Sequence, residues 1–411
     1  MMLSPSNMFF LRICLNQVLS VGAENRKDSW VTSEPAPAIE GQLPAFPLDL
    51  GSLRAMVDYR FTVRDAYVDV NGLPTFVVVQ EPMKNKFREL LLDLANHNLL
   101  AKIRKVQDKL VISIFPKPRL GKPRRIINLL LFLATMVTVG IASSALIFGA
   151  DPRLTAALFA NANLNLQMVI LAASILGIVG LHELGHVVAV RHHRMDASLP
   201  YFVPAPPPFP FGTFGAVISL RGPPANRDQL FDLGFSGPVS GFFATIGVAI
   251  IAFLTAPIIL QQQASSLIAA NLLSDNPWPH TPLFLELLGY VGLRTVPAGH
   301  VLVLTQLAFA AEVGALITFL NILPVWQLDG GHISRATFGA QGHKLFTLAA
   351  FGVLVVAGYW GFAILLILFM FLSRRPLEGI EPLDDVSPLS NTRKVLFASA
   401  LVMLALSFII F

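Results

Sequence analysis

Residues 164–189 read LNLQMVILAASILGIVGLHELGHVVA, an apolar run that ends in two histidines and a glutamate. A helix needs about 20 apolar residues to cross the hydrocarbon core of a bilayer, so this run is long enough. Similar runs occupy residues 127–149, 230–256, 299–323 and 344–373, and a shorter one occupies 395–411. We therefore predict an all-α polytopic membrane protein with six or seven spans. The count depends on whether 344–373 is one tilted helix or a tight pair broken near Gly358–Gly361.

The composition excludes an ordinary soluble enzyme. Charged residues make up 13% of the 411 residues and hydrophobic residues 54%, whereas soluble domains carry about 25% charged residues. The charges are concentrated at the front of the chain. Residues 1–125 contain 18 Lys/Arg and 12 Asp/Glu, whereas the remaining 286 residues contain only 12 and 13. This division predicts a membrane-embedded domain over 126–411 and a soluble region before it.

The cysteine content and the basic residues limit the partners of the chain. Cys14 is the only cysteine, which excludes an intramolecular disulfide framework, and we expect no disulfide-linked partner. The net charge is +5, and a basic linker at 117–125 lies directly before an apolar run. Basic clusters in that position mark the cytoplasmic side of a bilayer. We therefore expect a lipid bilayer, and no nucleic acid, as the partner of this linker.

The front of the chain has two parts. Residues 1–50 lack a sustained pattern and are predicted to be a disordered tail or an overlong start, because polar residues interrupt the clean run that a signal peptide needs. Over 51–116 we predict a small α+β domain of type ββαββ on the cytoplasmic face, with a regulatory or docking role. Its predicted elements are strands near 57–70 and 75–80 joined by an Asn71-Gly72 turn, a helix over 83–97, and strands near 100–105 and 109–115.

The end of the 164–189 run carries the pattern H-E-x-x-H. His182 and His186 are four residues apart, so on a helix both imidazoles point to the same side and can bind one metal ion. Glu183 is then placed to act as a general base. Ionisable groups in an apolar helix are costly unless they are paired or functional, which favours a metal site. The alternative is that the three side chains only form hydrogen bonds within a helix bundle.

A third ligand is expected from another span, because catalytic zinc sites use three protein ligands. Residues 321–332 read NILPVWQLDGGH at the end of the 299–323 run. Pro324 ends the helix, and the paired glycines permit a sharp turn, so Asp329 is predicted to lie in an irregular segment. The positive-inside bias puts this segment at the same cytoplasmic end as His186. The two motifs are therefore expected to meet.

These residues resemble the site-2 protease family of intramembrane zinc metalloproteases. The resemblance rests on H-E-L-G-H at 182–186, G-T-F-G at 212–215, S-G-P-V-S-G at 236–241, and the Asn and L-D-G of 321–330. It implies that His182, His186 and Asp329 bind one Zn²⁺, that Glu183 is the catalytic base, and that Asn321 contacts the substrate. It also implies that the substrate is a membrane-spanning or membrane-anchored protein.

The segment between the second and third runs is a candidate substrate site. Residues 199–220 are apolar but rich in Pro and Gly, so they cannot form a helix. A re-entrant loop or hairpin here would offer a strand edge to an unwound substrate. We therefore predict substrate contacts from Gly212, Thr213, Phe214 and Gly215. The alternative is a loop at the lipid interface with no substrate role.

Three further residues are assigned no catalytic role. Gly237 and Gly241 form a G-x-x-x-G pair on the third run, a spacing that predicts close helix packing. Glu312 precedes Asp329 by 17 residues, which is about 25 Å along a helix. It is therefore too distant to bind the same ion, and we expect it to pair with a neighbour or to lie at the outer interface.

The sequence thus predicts an intramembrane zinc endopeptidase that uses a metal-activated water. Two alternatives remain open: a catalytically silent pseudoprotease that binds membrane proteins, and a transporter. A transporter is expected to distribute charged groups along several spans. Here such groups cluster at the inner ends of two runs.

Overall fold

A computed structural model of the chain describes residues 47–118, 125–159, 162–207, 209, 211–273, 281–373, 377 and 379–408. The predictions for residues 1–46 and for most of the basic linker 117–125 lie outside the described residues. The described part is mostly helical, and its strands form three small sheets. Two of the sheets lie between the apolar helices, so the predicted all-α membrane region is mostly but not entirely helical.

The front of the described chain is a four-stranded sheet with two helices. Its elements are α1 (Leu50–Asp58), β1 (Val63–Val68), β2 (Pro74–Val78), α2 (Lys84–Ala95), β3 (Leu99–Val106) and β4 (Lys109–Pro116). The strands pair antiparallel in the order β1-β2-β4-β3. Phe76 and Ile112 project from the sheet into a core shared with Leu53 of α1 and Leu90 of α2, all fully buried. The predicted strand–strand–helix–strand–strand order is present.

The start of this region differs from the prediction. Residues 57 and 58, expected at the beginning of a strand, belong to α1. The Asp49 carboxylate accepts hydrogen bonds from the backbone N–H groups of Gly51 (3.0 Å) and Ser52 (3.2 Å), which is the geometry of a helix N-cap. Leu53 and Val57 lie one turn apart on the buried side of the helix. The cap and the apolar face together explain why a helix forms here.

Within the described ranges, four helices are long and apolar enough to cross a membrane: α3 (Arg125–Phe148), α5 (Leu164–His192), α6 (Arg227–Thr255) and α10 (Asp329–Val356), the last counted across a break at Gly339. The others are α4 (Pro152–Phe159), α7 (Gln261–Ala269), α8 (Leu283–Val291), α9 (Gln306–Ile322), α11 (Trp360–Ser373) and α12 (Asn391–Leu406). Because α9 and α11 are apolar but have only 17 and 14 residues, the count of six or seven spans stays a prediction.

Two of the predicted apolar runs are interrupted in the structure, and the break in 344–373 lies where the predicted alternative of a helix pair put it. The 344–373 run is not one helix, because α10 ends at Val356, α11 begins at Trp360, and Gly358 between them has φ 88°. The 299–323 run begins as a short strand, β8 (His300–Leu302), which pairs with β7 (Ile258–Leu260), and it becomes helical only in α9. Glycine at 358 permits the left-handed backbone that separates the two helices.

Helix α6 lies at the centre of the bundle and contacts α5, α9 and α10. Glycines on the neighbouring helices allow this close approach. A Cβ atom at Gly185 of α5 would collide with the Ser236 carbonyl of α6, and one at Gly314 of α9 would collide with Thr245. Small residues at helix contacts let backbones approach closely in membrane proteins. These contacts fix which faces of α5 and α9 turn toward α6.

The Pro- and Gly-rich segment between α5 and α6 forms a hairpin of β5 (Tyr201–Pro204) and β6 (Thr213–Val217). It lies along α3, where the Asn128 amide donates to the carbonyls of Leu199 and Pro200 at 2.9 Å each. Only β5 pairs with β6 in the described part of the chain. The predicted non-helical segment is therefore present, and one edge of β6 is left without a partner strand there.

A C-terminal segment connects the front sheet to the helix bundle. We call residues 381–388 the strap. The backbone N–H of Ile103 on β3 donates to the Leu383 carbonyl (2.9 Å), and the Leu383 N–H donates to the Pro224 carbonyl just before α6 (2.8 Å). Leu383 is itself buried in the core of the front sheet. The strap therefore lies between the edge strand β3 and the start of α6.

Ion pairs hold the strap against two helices of the bundle. The Asp385 carboxylate accepts two hydrogen bonds from the Arg335 guanidinium of α10, at 2.9 and 2.8 Å. It also accepts one from Nε of Arg227, the first residue of α6, at 3.0 Å. Arg335 is only 2% exposed, so its charge depends on this partner. Asp385 thus links the beginnings of α6 and α10.

Candidate metal centre

Helix α5 positions the first two predicted ligands. His182 and His186 lie one turn apart near its C-terminal end, and both side chains are buried. Their ring centroids are 5.0 Å apart, and their Nε2 atoms are 3.2 Å apart. The i, i+4 spacing therefore directs both imidazoles to one point, as the geometry of a helix requires.

The third predicted ligand comes from the start of α10. Oδ2 of Asp329 lies 3.2 Å from Nε2 of His182 and 3.3 Å from Nε2 of His186. Asp329 is the first residue of the helix, where the helix dipole favours a negative charge. In the described chain, these three residues form the group of His, Cys, Asp and Glu side chains that is compact enough to hold a metal ion. The structure therefore brings the two sequence motifs together.

The separations within this group match the ligand triangle of a tetrahedral ion. Bonds of about 2.0 Å from a zinc ion to its ligands give ligand–ligand separations of about 3.3 Å in a regular tetrahedron. The three measured separations are 3.2, 3.2 and 3.3 Å. Two imidazoles and one carboxylate are also a donor set that zinc prefers. The residues present therefore fit a zinc ion in both spacing and chemistry.

A backbone carbonyl determines which nitrogen of His186 faces the group. Nδ1 of His186 lies 2.8 Å from the Leu233 carbonyl oxygen of α6. A carbonyl oxygen only accepts, so Nδ1 must carry the proton, and Nε2 presents its lone pair to the centre. Nδ1 of His182 is buried and has no hydrogen-bond partner in the described part of the molecule. A hydrogen bond at Nδ1 therefore orients the His186 ring, whereas the described part of the molecule provides no such bond for His182.

Glycines of α6 pack directly against the two imidazoles. A Cβ atom at Gly237 would overlap the His186 ring, and one at Gly241 would lie 3.0 Å from Nδ1 of His182. A Cβ atom at Gly234, one turn before Gly237, would likewise collide with the Asp329 carbonyl oxygen. Sequence reasoning assigned Gly237 and Gly241 to helix packing and did not connect them with the histidines. The sequence signal for this contact with the histidines was the spacing of the two glycines, which puts them on one face of a neighbouring span.

The turn before Asp329 differs from the prediction. Asp329 begins a helix and does not lie in an irregular segment, and the paired glycines that follow it are helical. A Cβ at Gly330 would collide with the Ile322 carbonyl, and one at Gly331 with the Trp326 carbonyl. The glycines are thus required by close packing. The left-handed residue of the turn is Trp326, with φ 44°.

Glu183 lies beside the group and is not part of it. Its side chain is buried on α5 and interacts electrostatically with His182, His186 and Asp329. Its carboxylate is not a member of the compact ligand group. A buried carboxylate that is close to the ligands without joining them can exchange a proton with a reacting molecule at the same place.

The predicted substrate contacts lie in two places. Asn321 is the penultimate residue of α9, next to Ile322, whose carbonyl touches Gly330. In the hairpin, Thr213 is buried, and its hydroxyl donates to the Val203 carbonyl at 3.1 Å. Phe214 is half exposed and lies edge-on against Phe209.

Two glycines of the hairpin have different surroundings. Gly212 has φ 67° and packs on α3, where its carbonyl accepts a 2.6 Å hydrogen bond from Thr138. Gly215 has φ 92°, and a Cβ added there would meet open space. No hydrogen bond joins the hairpin residues 212–215 to the metal group among the described residues. Their role as substrate contacts stays a prediction, as does that of Asn321.

The chain has relatives among known proteins. Residues 170–368 match peptidase family M50, and the matched stretch begins in α5 and ends in α11. Over these residues the chain is similar to an M50 peptidase domain. The matched stretch includes all three residues of the compact ligand group, together with Glu183 and Asn321. With its long apolar helices, it marks the chain as a multi-pass integral membrane protein.

Individual proteins match this chain over part of their length. The chain is 30% identical over 250 residues to "Probable zinc metalloprotease EGY1, chloroplastic" of Arabidopsis thaliana, which covers 58% of this chain and 42% of the relative. It is 28% identical over 212 residues to "Probable zinc metalloprotease EGY2, chloroplastic" of Oryza sativa subsp. indica, covering 50% and 36%. A third match, to EGY1 of Oryza sativa subsp. japonica, is 28% identical over 315 residues and covers 69% and 50%. The chain thus spans half or less of these relatives. No solved structure matches it.

Proposed function

We propose that this protein is a zinc endopeptidase that hydrolyses peptide bonds of membrane-spanning or membrane-anchored proteins. The observation that carries the proposal is the triangle of Nε2, Nε2 and Oδ2 atoms, whose sides of 3.2–3.3 Å suit three ligands of one tetrahedral ion. The M50 match and the names of the relatives, zinc metalloproteases, support the same activity.

His182, His186 and Asp329 would hold the ion. Zinc bound there would act as a Lewis acid that polarises the scissile carbonyl and lowers the pKa of the attacking water. The Leu233 carbonyl keeps the proton of His186 on Nδ1, so this imidazole stays oriented throughout the reaction. Gly237 and Gly241 of α6 let both rings lie directly against this helix, because a Cβ atom at either position would crowd the facing imidazole.

Glu183 would act as the general base and then as the general acid. A carboxylate oxygen accepts a proton from the attacking water, and the same group delivers it to the departing peptide nitrogen. The side chain is buried and close to the three ligands, so bulk water does not compete for the proton at this position. This assignment rests on the place of Glu183 beside the ligand group.

The hairpin and Asn321 are proposed to hold the substrate. A peptide bond in a helix has its carbonyl engaged in a hydrogen bond, so a substrate must be extended before attack. The edge of β6 without a partner strand in the described chain offers backbone groups that an extended substrate can pair with. Phe214 is half exposed on this strand and would add an apolar contact.

The membrane orientation is part of the proposal. The positive-inside bias puts the front sheet and the metal end of the bundle on the cytoplasmic side. The strap supports a common side for the two, because it touches both β3 and the starts of α6 and α10. No observation favours the pseudoprotease or the transporter alternative. A transporter is expected to distribute charged groups along several spans, whereas His182, His186 and Asp329 form one compact cluster.

The proposal is tested with the full chain purified in detergent. Bound zinc is measured by elemental analysis, and cleavage is followed on a labelled single-span transmembrane peptide in the same micelles. We expect one zinc per wild-type chain. Glu183→Gln should keep the zinc and lose activity by about 10²–10⁴-fold, the usual contribution of general acid–base catalysis. Asp329→Asn should lose both the zinc and the activity.

Glu312→Gln is the matched control, because Glu312 is a partly buried glutamate on the neighbouring helix α9 that is not part of the ligand group. It should behave like the wild type. A wild-type chain without bound zinc would refute the proposal. Cleavage that persists in Glu183→Gln would refute the role of this residue.

A further inference from the structure

The turn between α9 and α10 determines where Asp329 lies. Residues 323–328 connect the two helices, and Asp329 follows directly. Within the turn, Trp326 has φ 44°, a conformation that non-glycine residues rarely adopt without support from their surroundings. Its carbonyl packs against Gly331, two residues after Asp329. The direction in which the Asp329 carboxylate points therefore depends on what holds Trp326.

A single side-chain hydroxyl group forms two hydrogen bonds with the backbone of this turn. Oγ1 of Thr347 accepts a hydrogen bond from the Trp326 backbone N–H (3.2 Å) and donates one to the Pro324 carbonyl (3.1 Å). Thr347 is completely buried. Without its hydroxyl, a buried N–H and a buried C=O of the turn would each lose a partner.

The contact is not one that helix spacing predicts. Thr347 is in the same helix as Asp329 but 18 residues later, a distance of about 27 Å along a straight helix. α10 is not straight, because Gly339 inside it has φ 73° and ψ −172°. This break brings the second half of α10 back against the turn that precedes the first half.

We propose that Thr347 is a positioning residue for the metal centre. Its hydroxyl fixes the 324–326 backbone, and through it the Asp329 carboxylate, at ligand distance from the two histidines. This inference rests on the proposed zinc site. A purely space-filling threonine would be replaced by valine without consequence, because the two side chains have nearly the same shape.

The test compares Thr347→Val with Thr347→Ser in the full chain in detergent. Zinc affinity is measured by competition with a chelator of known strength, and cleavage is measured in parallel. We expect Thr347→Val to weaken zinc binding about 10–100-fold, the usual effect of losing a group that orients a ligand. Thr347→Ser keeps the hydroxyl and should bind zinc within about threefold of the wild type, which is clearly less than the loss expected for Thr347→Val.

Thr318→Val is the matched control. Thr318 is also a buried threonine in the bundle, and its hydroxyl donates to the Gly314 carbonyl within its own helix at 2.9 Å. Zinc affinity should be unchanged in this variant. If Thr347→Val cannot be recovered folded, Thr347→Ala is compared with Thr347→Ser. The zinc affinity should then be weakened in the alanine variant and kept in the serine variant, which retains the hydroxyl.

The possible results separate the two proposals. A wild-type chain that binds zinc, with Thr347→Val binding equally well, overturns the positioning role alone. Equal losses in Thr347→Ser and Thr347→Ala also overturn it. A wild-type chain that binds no zinc overturns the proposed function, and this inference with it.

Discussion

Gly241→Ala should weaken the metal centre without altering any ligand. The added Cβ would lie 3.0 Å from Nδ1, 3.1 Å from Cβ and 3.4 Å from Cγ of His182. Ordinary contacts between such atoms are about 3.5–4.0 Å, so the imidazole must move by several tenths of an ångström. Ligand distances at a metal tolerate about 0.2 Å, and the required displacement exceeds this.

The expected loss of zinc affinity is about 10–100-fold, which corresponds to about 1.4–2.7 kcal/mol. The assay is chelator competition with the purified full chain in detergent, with circular dichroism to verify that the helices are intact. Gly247→Ala, the matched control on the same helix, puts a Cβ into open space and should leave the affinity unchanged. Gly237→Ala should have a larger effect than Gly241→Ala, because its Cβ would overlap the His186 ring.

The order of the three variants is the decisive result. If Gly241→Ala binds zinc as tightly as Gly247→Ala, the glycine face does not position the histidines. The reasoning is refuted equally if all three variants lose the same amount of zinc affinity, since such a loss would follow from helix α6 as a whole and not from these contacts.

Other predictions concern stability, the metal and the substrate. Asp385→Asn should destabilise the protein by about 3–5 kcal/mol, because it leaves the buried Arg335 charge without its partner. Asp108→Asn, which breaks an exposed ion pair, should leave the denaturation midpoint close to that of the wild type; equal midpoints for the two variants would contradict the comparison. Chelation should lower the melting temperature of the wild type, since zinc binds only the folded site, and should leave that of Asp329→Asn unchanged. Phe214→Ala should raise KM for a transmembrane peptide with unchanged zinc content, and a lowered zinc content would place this residue at the metal instead.

The residue pattern predicts the centre of the molecule well. Residues four apart on a helix lie on the same face, so the sequence predicts that His182 and His186 can converge on one point. The end of α9 before Pro324 also follows, since proline cannot continue a helix. The placement of Asp329 beside the histidines required only that two helices end on the same side.

The parts that the sequence does not predict depend on contacts between distant segments. The stretch 329–343 lies between two of the predicted apolar runs, yet the structure has helix on both sides of a break at Gly339. Arg335 in this stretch is neutralised by the distant Asp385, whereas His343 lies 2.6 Å from the Ser334 hydroxyl of the same helix. Hydropathy alone leaves open whether 344–373 breaks near Gly358, because the residues on both sides of it are apolar.

The strap has a consequence for the order in which the chain is made. Ile103 precedes its partner Leu383 by about 280 residues, and ribosomes add roughly 5–20 residues per second. The outer edge of β3 therefore stays uncovered for about 15–55 s after it leaves the ribosome, while the apolar helices are still being inserted. An open strand edge invites pairing with other nascent chains. Lys102, Arg104 and Lys105 lie along β3, and their like charges repel a second copy of the strand during this interval.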